Sequence, residues 1–323
     1  MLLDFAMLAL GLVFLIFGGD SLVTGAKRIG LRLGISSLVI GLTIVAFGTS
    51  APELFISIQA ALSGSPDIAM GNVVGSNICN LALVLGCAAL VAPIPVHPDN
   101  IRFNWPITLF ASLLLTFFAQ DGGIGRWEGG LFFLFLISYL IFTLRFAKGT
   151  LEVEDLNEVD LPDPTTADTF GVLKGIGRDL TYIFLGGLGL YFGSEWFVDS
   201  ARHIAVGLGI SERIVGITLV AFGTSLPELV TSLIAAYKRD TDMALGSLLG
   251  SNIFNIFSIL GITGMIQEIH VVDEIIRSDL YWMLAITLLI FPMMLYRQRI
   301  HWKRGLVLLI FYSVYTLSLF DIF

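Results

Sequence analysis

The sequence is poor in charge. Only 14% of its 323 residues are Asp, Glu, Lys or Arg, while 56% are hydrophobic. The apolar segments therefore lack a polar face to turn toward water, which excludes a water-soluble globular domain. Cysteine is nearly absent. Cys79 and Cys87 are the two present, and two helical turns apart they are too distant for a disulfide, so they read as packing residues. The four histidines (His97, His203, His270 and His301) all lie near segment ends. There is no HExxH motif and no Ser–His or Asp–Asp pair at depth, so an enzyme is not expected. Strands of about ten alternating residues are missing, which argues against a transmembrane barrel. No basic patch suggests nucleic acid. A basic leader region is missing as well, and Asp4 stands at the start, so the first apolar run, Phe5 to Val23, reads as a true span and not a cleaved signal.

What is present is a succession of apolar segments of about 20 residues, the length that crosses a bilayer core. The expected fold class is an all-α polytopic membrane protein with ten transmembrane helices. The spans fall at about 3–26, 35–62, 68–92, 103–120, 127–146, 179–201, 209–237, 242–266, 278–296 and 303–321. A hydrophilic segment, 148–173, separates five spans from five. It carries Glu152, Glu154, Asp155, Glu158, Asp160, Asp163 and Asp168, together with Pro162 and Pro164. That composition reads as a solvated tether. Solubility accounts for its acids, and a regulatory cation site is the sharper alternative.

Charge sets the orientation. With the N-terminus outside, the inner loops hold 14 of the 18 Lys and Arg, among them Lys27, Arg28, Arg32, Lys238 and Arg239. The positive-inside rule then places both termini outside and the acidic linker in the cytoplasm, in a multi-pass cell membrane protein.

One segment occurs twice. AFGTSAPEL (46–54) returns as AFGTSLPEL (221–229), and GSNICN (75–80) as GSNIFN (250–255), at one offset of 175 residues. Over residues 41–57, 12 of 17 positions match their partners. The chain therefore divides into a first five-helix repeat (1–147), the linker (148–173) and a second five-helix repeat (174–323). An odd number of spans per half inverts the second relative to the first, and inverted repeats with a midplane site mark secondary transporters.

The duplicated segments carry the chemistry. A carboxylate at membrane depth costs about 2.5 kcal/mol or more, and Glu53 and Glu228 occupy matching positions. Thr49 and Glu53 are four residues apart, as are Thr224 and Glu228, Ser76 and Asn80, and Ser251 and Asn255; on a helix each pair shares a face. Gly48 and Pro52, with Gly223 and Pro227, are expected to break the helices at the site and to release the carbonyls of Ala46 and Ala221. The resulting donors are all hard oxygens, which select Na⁺, Ca²⁺ or Mg²⁺, and six to eight flexible oxygens favour Ca²⁺. Two glutamates neutralise one Ca²⁺, and when it leaves, Na⁺ or protons must replace it. Gly71, Gly75, Gly246 and Gly250, with Asn77 and Asn252, read as packing residues. Asp20 and Glu195, also related by 175 residues, read as boundary or gating residues or as solvated end charges.

The paired GTSxPE and GSNxxN segments resemble the alpha repeats of the cation/calcium exchanger superfamily, in particular the prokaryotic sodium/calcium exchanger branch. The resemblance covers the whole chain. It implies a core of spans two, three, seven and eight around the ions, with spans one and six sliding across it. It implies Ca²⁺ at Glu53 and Glu228 with help from Thr49 and Thr224. It also implies Na⁺ at Ala46, Thr49, Ser50 and Ser76 and at Ala221, Thr224, Ser225 and Ser251. The hydroxyls of the Thr-Ser pair favour Na⁺ over H⁺. Asn80 and Asn255 are both amides where some relatives carry Asp, which argues against a K⁺ requirement. The expectation is a Na⁺/Ca²⁺ antiporter that works by alternating access as a monomer, with no cofactor. Ca²⁺/H⁺ exchange and K⁺-dependent Na⁺/Ca²⁺ exchange are the alternatives, and a cation channel is disfavoured by the inverted repeats.

Overall fold

Lipid offers no partner to a backbone N–H or C=O, so apolar runs of this length satisfy those groups internally, as helices. The computed structural model describes residues 2–146, 169–208 and 221–319. Helix follows helix: α1 (Leu2–Leu33), α2 (Ser37–Leu62), α3 (Ile68–Val91), α4 (Asn100–Asp121), α5 (Arg126–Arg145), α6 (Thr169–Gly207), α7 in two pieces (Ala221–Thr224 and Leu226–Tyr237), α8 (Thr241–Ile266), α9 (Ile275–Gln298) and α10 (Trp302–Ser318). Among the described residues, seven helices are long and apolar enough to cross a membrane: α1 to α5, α8 and α9. Helix α6 is longer than these but carries Gly186, Gly187, Gly189, Gly193 and Glu195 through its middle. Of the expected span 209–237, residues 209–220 lie outside the described residues, as does most of the acidic linker. Helix α6 begins at Thr169, so residues 169–173 of the expected linker are helical.

Burial sorts the helices. The apolar window of α8 is 94% buried and that of α3 is 78% buried, against 22% for α1. Helices α3 and α8 therefore form the centre, and α1 faces lipid. Small residues set how closely helices approach, as expected where lipid removes most of the hydrophobic drive. A Cβ on Gly246 would lie 2.7 Å from the Leu38 carbonyl oxygen, and one on Gly250 would lie 2.7 Å from that of Leu42, so α8 sits directly on α2. The packing expected of these two glycines is present, whereas a Cβ on Gly71 or Gly75 would meet nothing within 4 Å, so the close packing expected of those two is absent.

Helices α1 and α6 run side by side along a second glycine seam. A Cβ on Gly11 would lie 2.8 Å from the Gly193 carbonyl oxygen, and one on Gly18 would lie 2.7 Å from the Leu190 nitrogen. At the end of the seam nearest the linker, Arg32 Nε donates to Asp179 Oδ2 at 2.7 Å, and the Asp179 side chain is fully buried. The apolar core splits accordingly. One cluster runs through α3, α4, α5, α8 and α9. A smaller one joins Leu15, Leu22 and Ala26 of α1 and Leu190 of α6 to Ile40, Val45, Leu226 and Met243.

Two short antiparallel ribbons interrupt the helices. Ile94–Pro95 pairs with Arg299–Ile300, and Gly123–Ile124 pairs with Ile269–His270. Each joins a segment from one half of the chain to a segment from the other. Local geometry recurs at the repeat offset. π-Helical turns occupy Asn100–Asn104 and Ile275–Asp279, and others begin at Asn80 and at Asn255.

Candidate ion-binding site

Helices α2, α3, α7 and α8 bring the duplicated residues together. In α2 a π-helical turn, Gly41–Val45, feeds an α-helix, Ala46–Leu62, that runs on through Pro52. The expected break at Gly48 and Pro52 is absent. Proline removes one donor, that of its own nitrogen, and the flanking i→i−4 bonds keep the helix intact. The carbonyl it releases is four residues back, at Gly48 and not at Ala46. The Ala46 carbonyl in fact accepts from the Thr49 hydroxyl at 3.2 Å, and that of Val45 accepts from it at 3.1 Å.

In α7 the break is real. Ser225 leaves the helix with φ −90° and ψ 5°, and a new helix starts at Leu226 with Pro227 in its first turn, where a missing N–H costs nothing. Gly48 and Gly223 serve a different purpose. A Cβ on Gly48 would lie 3.2 Å from the Leu22 side chain of α1, and one on Gly223 would collide with Val198 of α6. These two glycines are where the outer helix pair crosses the core.

Both carboxylates are at the centre of the molecule. Glu53 is 0% exposed and Glu228 is 2% exposed. Ser50 Oγ donates to Glu228 Oε1 at 3.2 Å, and Thr49 Oγ1 lies 3.3 Å from Ser251 Oγ. Each of these contacts joins a residue of one repeat to a residue of the other. Asn80 Nδ2 donates to Asn252 Oδ1 at 3.1 Å. Ser76, Asn80, Asn255, Ser225 and Ala46 are all buried. Thr224 ends the first piece of α7 and Ala221 begins it.

The buried polar atoms are unusually short of partners. Both oxygens of Glu53, Oε2 of Glu228, Ser76 Oγ, Asn80 Oδ1 and both side-chain atoms of Asn255 have no hydrogen-bond partner within the protein. Native interiors rarely leave such atoms unpaired, and a cluster of them demands an explanation. Among the described residues neither glutamate makes an ion pair, although an uncompensated buried charge costs several kcal/mol. The donor set is carboxylate, hydroxyl, amide and carbonyl oxygen, with no group of three His, Cys, Asp or Glu among the described residues. Such a set of oxygen donors suits a hard cation and not a soft one.

Sequence reasoning missed two supports and the polar character of a third. Asn72 Nδ2 donates to the Glu53 carbonyl at 3.4 Å and to Ser57 Oγ at 3.2 Å, steadying the turn that carries the carboxylate. π-Turns begin at Asn80 and at Asn255, and π-turns concentrate at functional sites. Asn77 and Asn252 do pack, as expected, but through polar bonds between the two repeats. The repeat offset itself was the signal for Asn77 and Asn252; Asn72 and the π-turns had none.

The fold and the motifs have close counterparts. The family model for sodium/calcium exchanger protein matches residues 3–145 and 179–320. A putative antiporter, CaxA of Alkalimonas amylolytica, is 38% identical over 96% of this chain and 97% of its own. The sodium/calcium exchanger MaX1 of Methanosarcina acetivorans is 35% identical over 99% of each. A solved structure of the sodium-calcium exchanger NCX_Mj, 31% identical, superposes with a TM-score of 0.83 and covers 99% of each chain. The protein is a multi-pass membrane transporter, not an enzyme, and belongs to the sodium/calcium exchanger family, in its prokaryotic branch.

Proposed function

We propose that the chain exchanges Na⁺ for Ca²⁺ across the membrane by alternating access, as two inverted five-helix repeats of ten spans. The observation that carries this reading is the pair of buried carboxylates, Glu53 and Glu228, set among oxygens that lack partners. One Ca²⁺ matches their combined charge. Once it leaves, two negative charges in a low dielectric require new cations before the occluded form can reappear. That requirement couples the outward movement of one ion to the inward movement of another.

Sodium is favoured as the counter-ion by the hydroxyls. Thr49, Ser50, Ser76 and Ser251 are all buried, Ser50 donates to Glu228, and a proton would need the carboxylates alone. In this reading Glu53 and Glu228, with Thr49 and Thr224, bind Ca²⁺. Na⁺ uses the same glutamates with Ala46, Thr49, Ser50 and Ser76, and with Ala221, Thr224, Ser225 and Ser251; Asn80 and Asn255 complete the shell. The repeats run 1–147 and 174–323, joined by a cytoplasmic linker at 148–173, with both termini outside and the monomer as the working unit. If three Na⁺ exchange for one Ca²⁺, each cycle moves one net charge, and 100 mV then contributes about 2.3 kcal/mol.

The test is ⁴⁵Ca²⁺ uptake into proteoliposomes loaded with Na⁺, against matched vesicles loaded with choline at the same pH. Uptake only with internal Na⁺ supports the proposal. Uptake driven instead by an internal acid gradient would keep the site and make the protein a Ca²⁺/H⁺ antiporter.

A further inference from the structure

Helices α1 and α6 carry a cationic end and an apolar groove along one shared face. Their glycine seam reaches the linker side at Gly25, where a Cβ would lie 2.8 Å from the Asp179 carbonyl oxygen. That approach brings three arginines to one carboxylate. Arg32 Nε lies 2.7 Å from Asp179 Oδ2, while Arg178 Nε and Arg28 Nη1 lie 3.5 Å and 3.9 Å from Oδ1. Among the described residues Asp179 is their one acidic partner. Lys27 turns instead to Asp240 of the core, at 3.3 Å. Two positive charges are therefore left over at this end. Arg32 is engaged by Asp179 and packs over Gly175, where a Cβ would meet its guanidinium at 2.7 Å. The side chains of Arg28 and Arg178 stay 28% and 55% exposed. Arg28 also lies over the Tyr182 ring, 5.6 Å from its centroid. A guanidinium on a tyrosine face suits the boundary between headgroups and hydrocarbon.

The groove begins about two turns deeper. It encloses about 440 Å³ and runs between Phe14, Phe17 and Ser21 of α1 and Leu185, Gly189 and Phe192 of α6. Its floor is backbone: a Cβ on Gly189 would lie 3.0 Å from the Gly18 Cα, so large side chains stand only along the two edges. Ser21 is the one polar side chain in the lining. At the far end Phe14 and Phe192 both pack on Trp196, with ring centroids 5.0 Å and 6.0 Å away. Helical spacing ties the groove to the cationic end. Arg28, Ser21, Phe17 and Phe14 are separated by seven, four and three residues, and Tyr182, Leu185, Gly189 and Phe192 by three, four and three. Each set therefore forms one stripe. At 1.5 Å per residue the groove lies about 10–21 Å from Arg28. The hydrocarbon of one leaflet, half of a bilayer core, is about 15 Å deep, so the groove falls where the acyl chain of a lipid anchored at Arg28 would run.

The geometry points to a binding site for one anionic phospholipid, with its phosphate between Arg28 and Arg178 and an acyl chain in the groove. Charge complementarity selects the headgroup. Phosphate oxygens accept strong, charge-assisted bonds from guanidinium groups, and an anionic lipid brings the negative charge that Asp179 alone does not supply. A zwitterionic lipid offers the same phosphate but carries its own cation. The groove selects a lipid over a free anion, because inorganic phosphate gains nothing from apolar walls. Basic pockets between helix ends recognise headgroups in this manner. The bound lipid touches both α1 and α6, so it reinforces the pair as one body whichever ion the protein carries.

The experiment uses the full chain in detergent. Native mass spectrometry measures retention of phosphatidylglycerol and of phosphatidylcholine with the same chains, and thermal unfolding is followed with each lipid and with inorganic phosphate. The unmodified protein should retain phosphatidylglycerol about tenfold better than phosphatidylcholine, a preference set by two basic residues at the headgroup. Its Tm should rise with phosphatidylglycerol and not with phosphate. Arg28→Gln/Arg178→Gln leaves the Arg32–Asp179 bond in place and should lose the preference, whereas Arg28→Lys/Arg178→Lys should keep most of it. Ser21→Phe fills the groove. It should weaken retention of the long-chain lipid and leave that of dihexanoyl phosphatidylglycerol unchanged. Equal retention of the two lipids by the unmodified protein, a preference that survives in the Gln pair, or a phosphate shift as large as the lipid's would overturn the site. Two copies of the chain per particle, separated by Ser21→Phe, would give the groove to a second copy and overturn it as well. If the Gln pair does not fold, the Ser21→Phe comparison decides: equal loss of long-chain and short-chain lipid, or no loss of either, removes the groove and the proposal with it.

Discussion

Asn77 and Asn252 donate to each other's main-chain carbonyls, at 3.4 Å and 3.2 Å, and stand 175 residues apart. A reciprocal contact between a residue and its own repeat counterpart places both on a two-fold relation, as at an isologous interface. It fixes α3 against α8 at the most buried place in the molecule. Asn252 does more than Asn77, because its Oδ1 also accepts from Asn80. Asn252→Ala should therefore cost more than Asn77→Ala. Each loss leaves a buried group unpaired, which amounts to about 1–3 kcal/mol. Thermal unfolding in detergent checks the order, and equal losses would show that the Asn80 bond contributes little.

Glu53→Gln and Glu228→Gln should each abolish Ca²⁺ exchange while the fold survives. Glutamine has nearly the same shape, and neither carboxylate is engaged in an ion pair among the described residues whose loss would unfold the chain. The clearest readout is ligand stabilisation. An ion that binds the folded state at one hundred times its Kd adds about 2.7 kcal/mol. Ca²⁺ should raise the Tm of the unmodified protein and leave that of either variant unmoved. A variant that keeps the shift would remove its glutamate from the site.

The pairing and placement of these groups were largely legible in the sequence, because a duplicated acidic motif at membrane depth has few bland explanations. Span boundaries also agree closely: 35–62 for Ser37–Leu62 and 242–266 for Thr241–Ile266. The misreadings have physical causes. The expected first span, 3–26, stops where Lys27, Arg28 and Arg32 read as an inner loop. They continue the helix instead, since Arg32 finds a buried partner in Asp179. The π-turns left no trace, because shifting a hydrogen bond from i−4 to i−5 changes no residue type. Gly48 is expected to help break the helix because glycine permits an unwound backbone, but the neighbour that matters is Leu22, supplied by tertiary packing. The two-residue ribbons are shorter than any alternating pattern can reveal.

Ser50→Ala should separate the two ions. The hydroxyl donates to Glu228 Oε1, and bonds to charged groups contribute about 1.5–3 kcal/mol. Its loss removes a sodium ligand in the proposed scheme and loosens one carboxylate. Half-saturating Na⁺ for Ca²⁺ efflux should rise about tenfold, with a smaller change in half-saturating Ca²⁺. Equal changes for both ions would mean that Ser50 serves only to orient Glu228.

Neighbouring glycines on α6 offer a controlled contrast. A Cβ on Gly186 would lie 2.5 Å from the Leu22 nitrogen and 2.8 Å from the Gly18 carbonyl oxygen, both backbone atoms of α1. A Cβ on Gly187 would meet nothing within 4 Å. Alanine at either place improves helix propensity by up to about 1 kcal/mol. At Gly187 nothing opposes that gain, so Gly187→Ala should hold or raise Tm and leave exchange intact. At Gly186 the methyl group must push two backbones apart, and overpacking of this kind costs about 1–3 kcal/mol. Gly186→Ala should lower Tm and slow exchange, because α1 and α6 can no longer keep their close seam while they move. If the two variants behaved alike, the seam would be a consequence of packing elsewhere and not the contact that joins the pair.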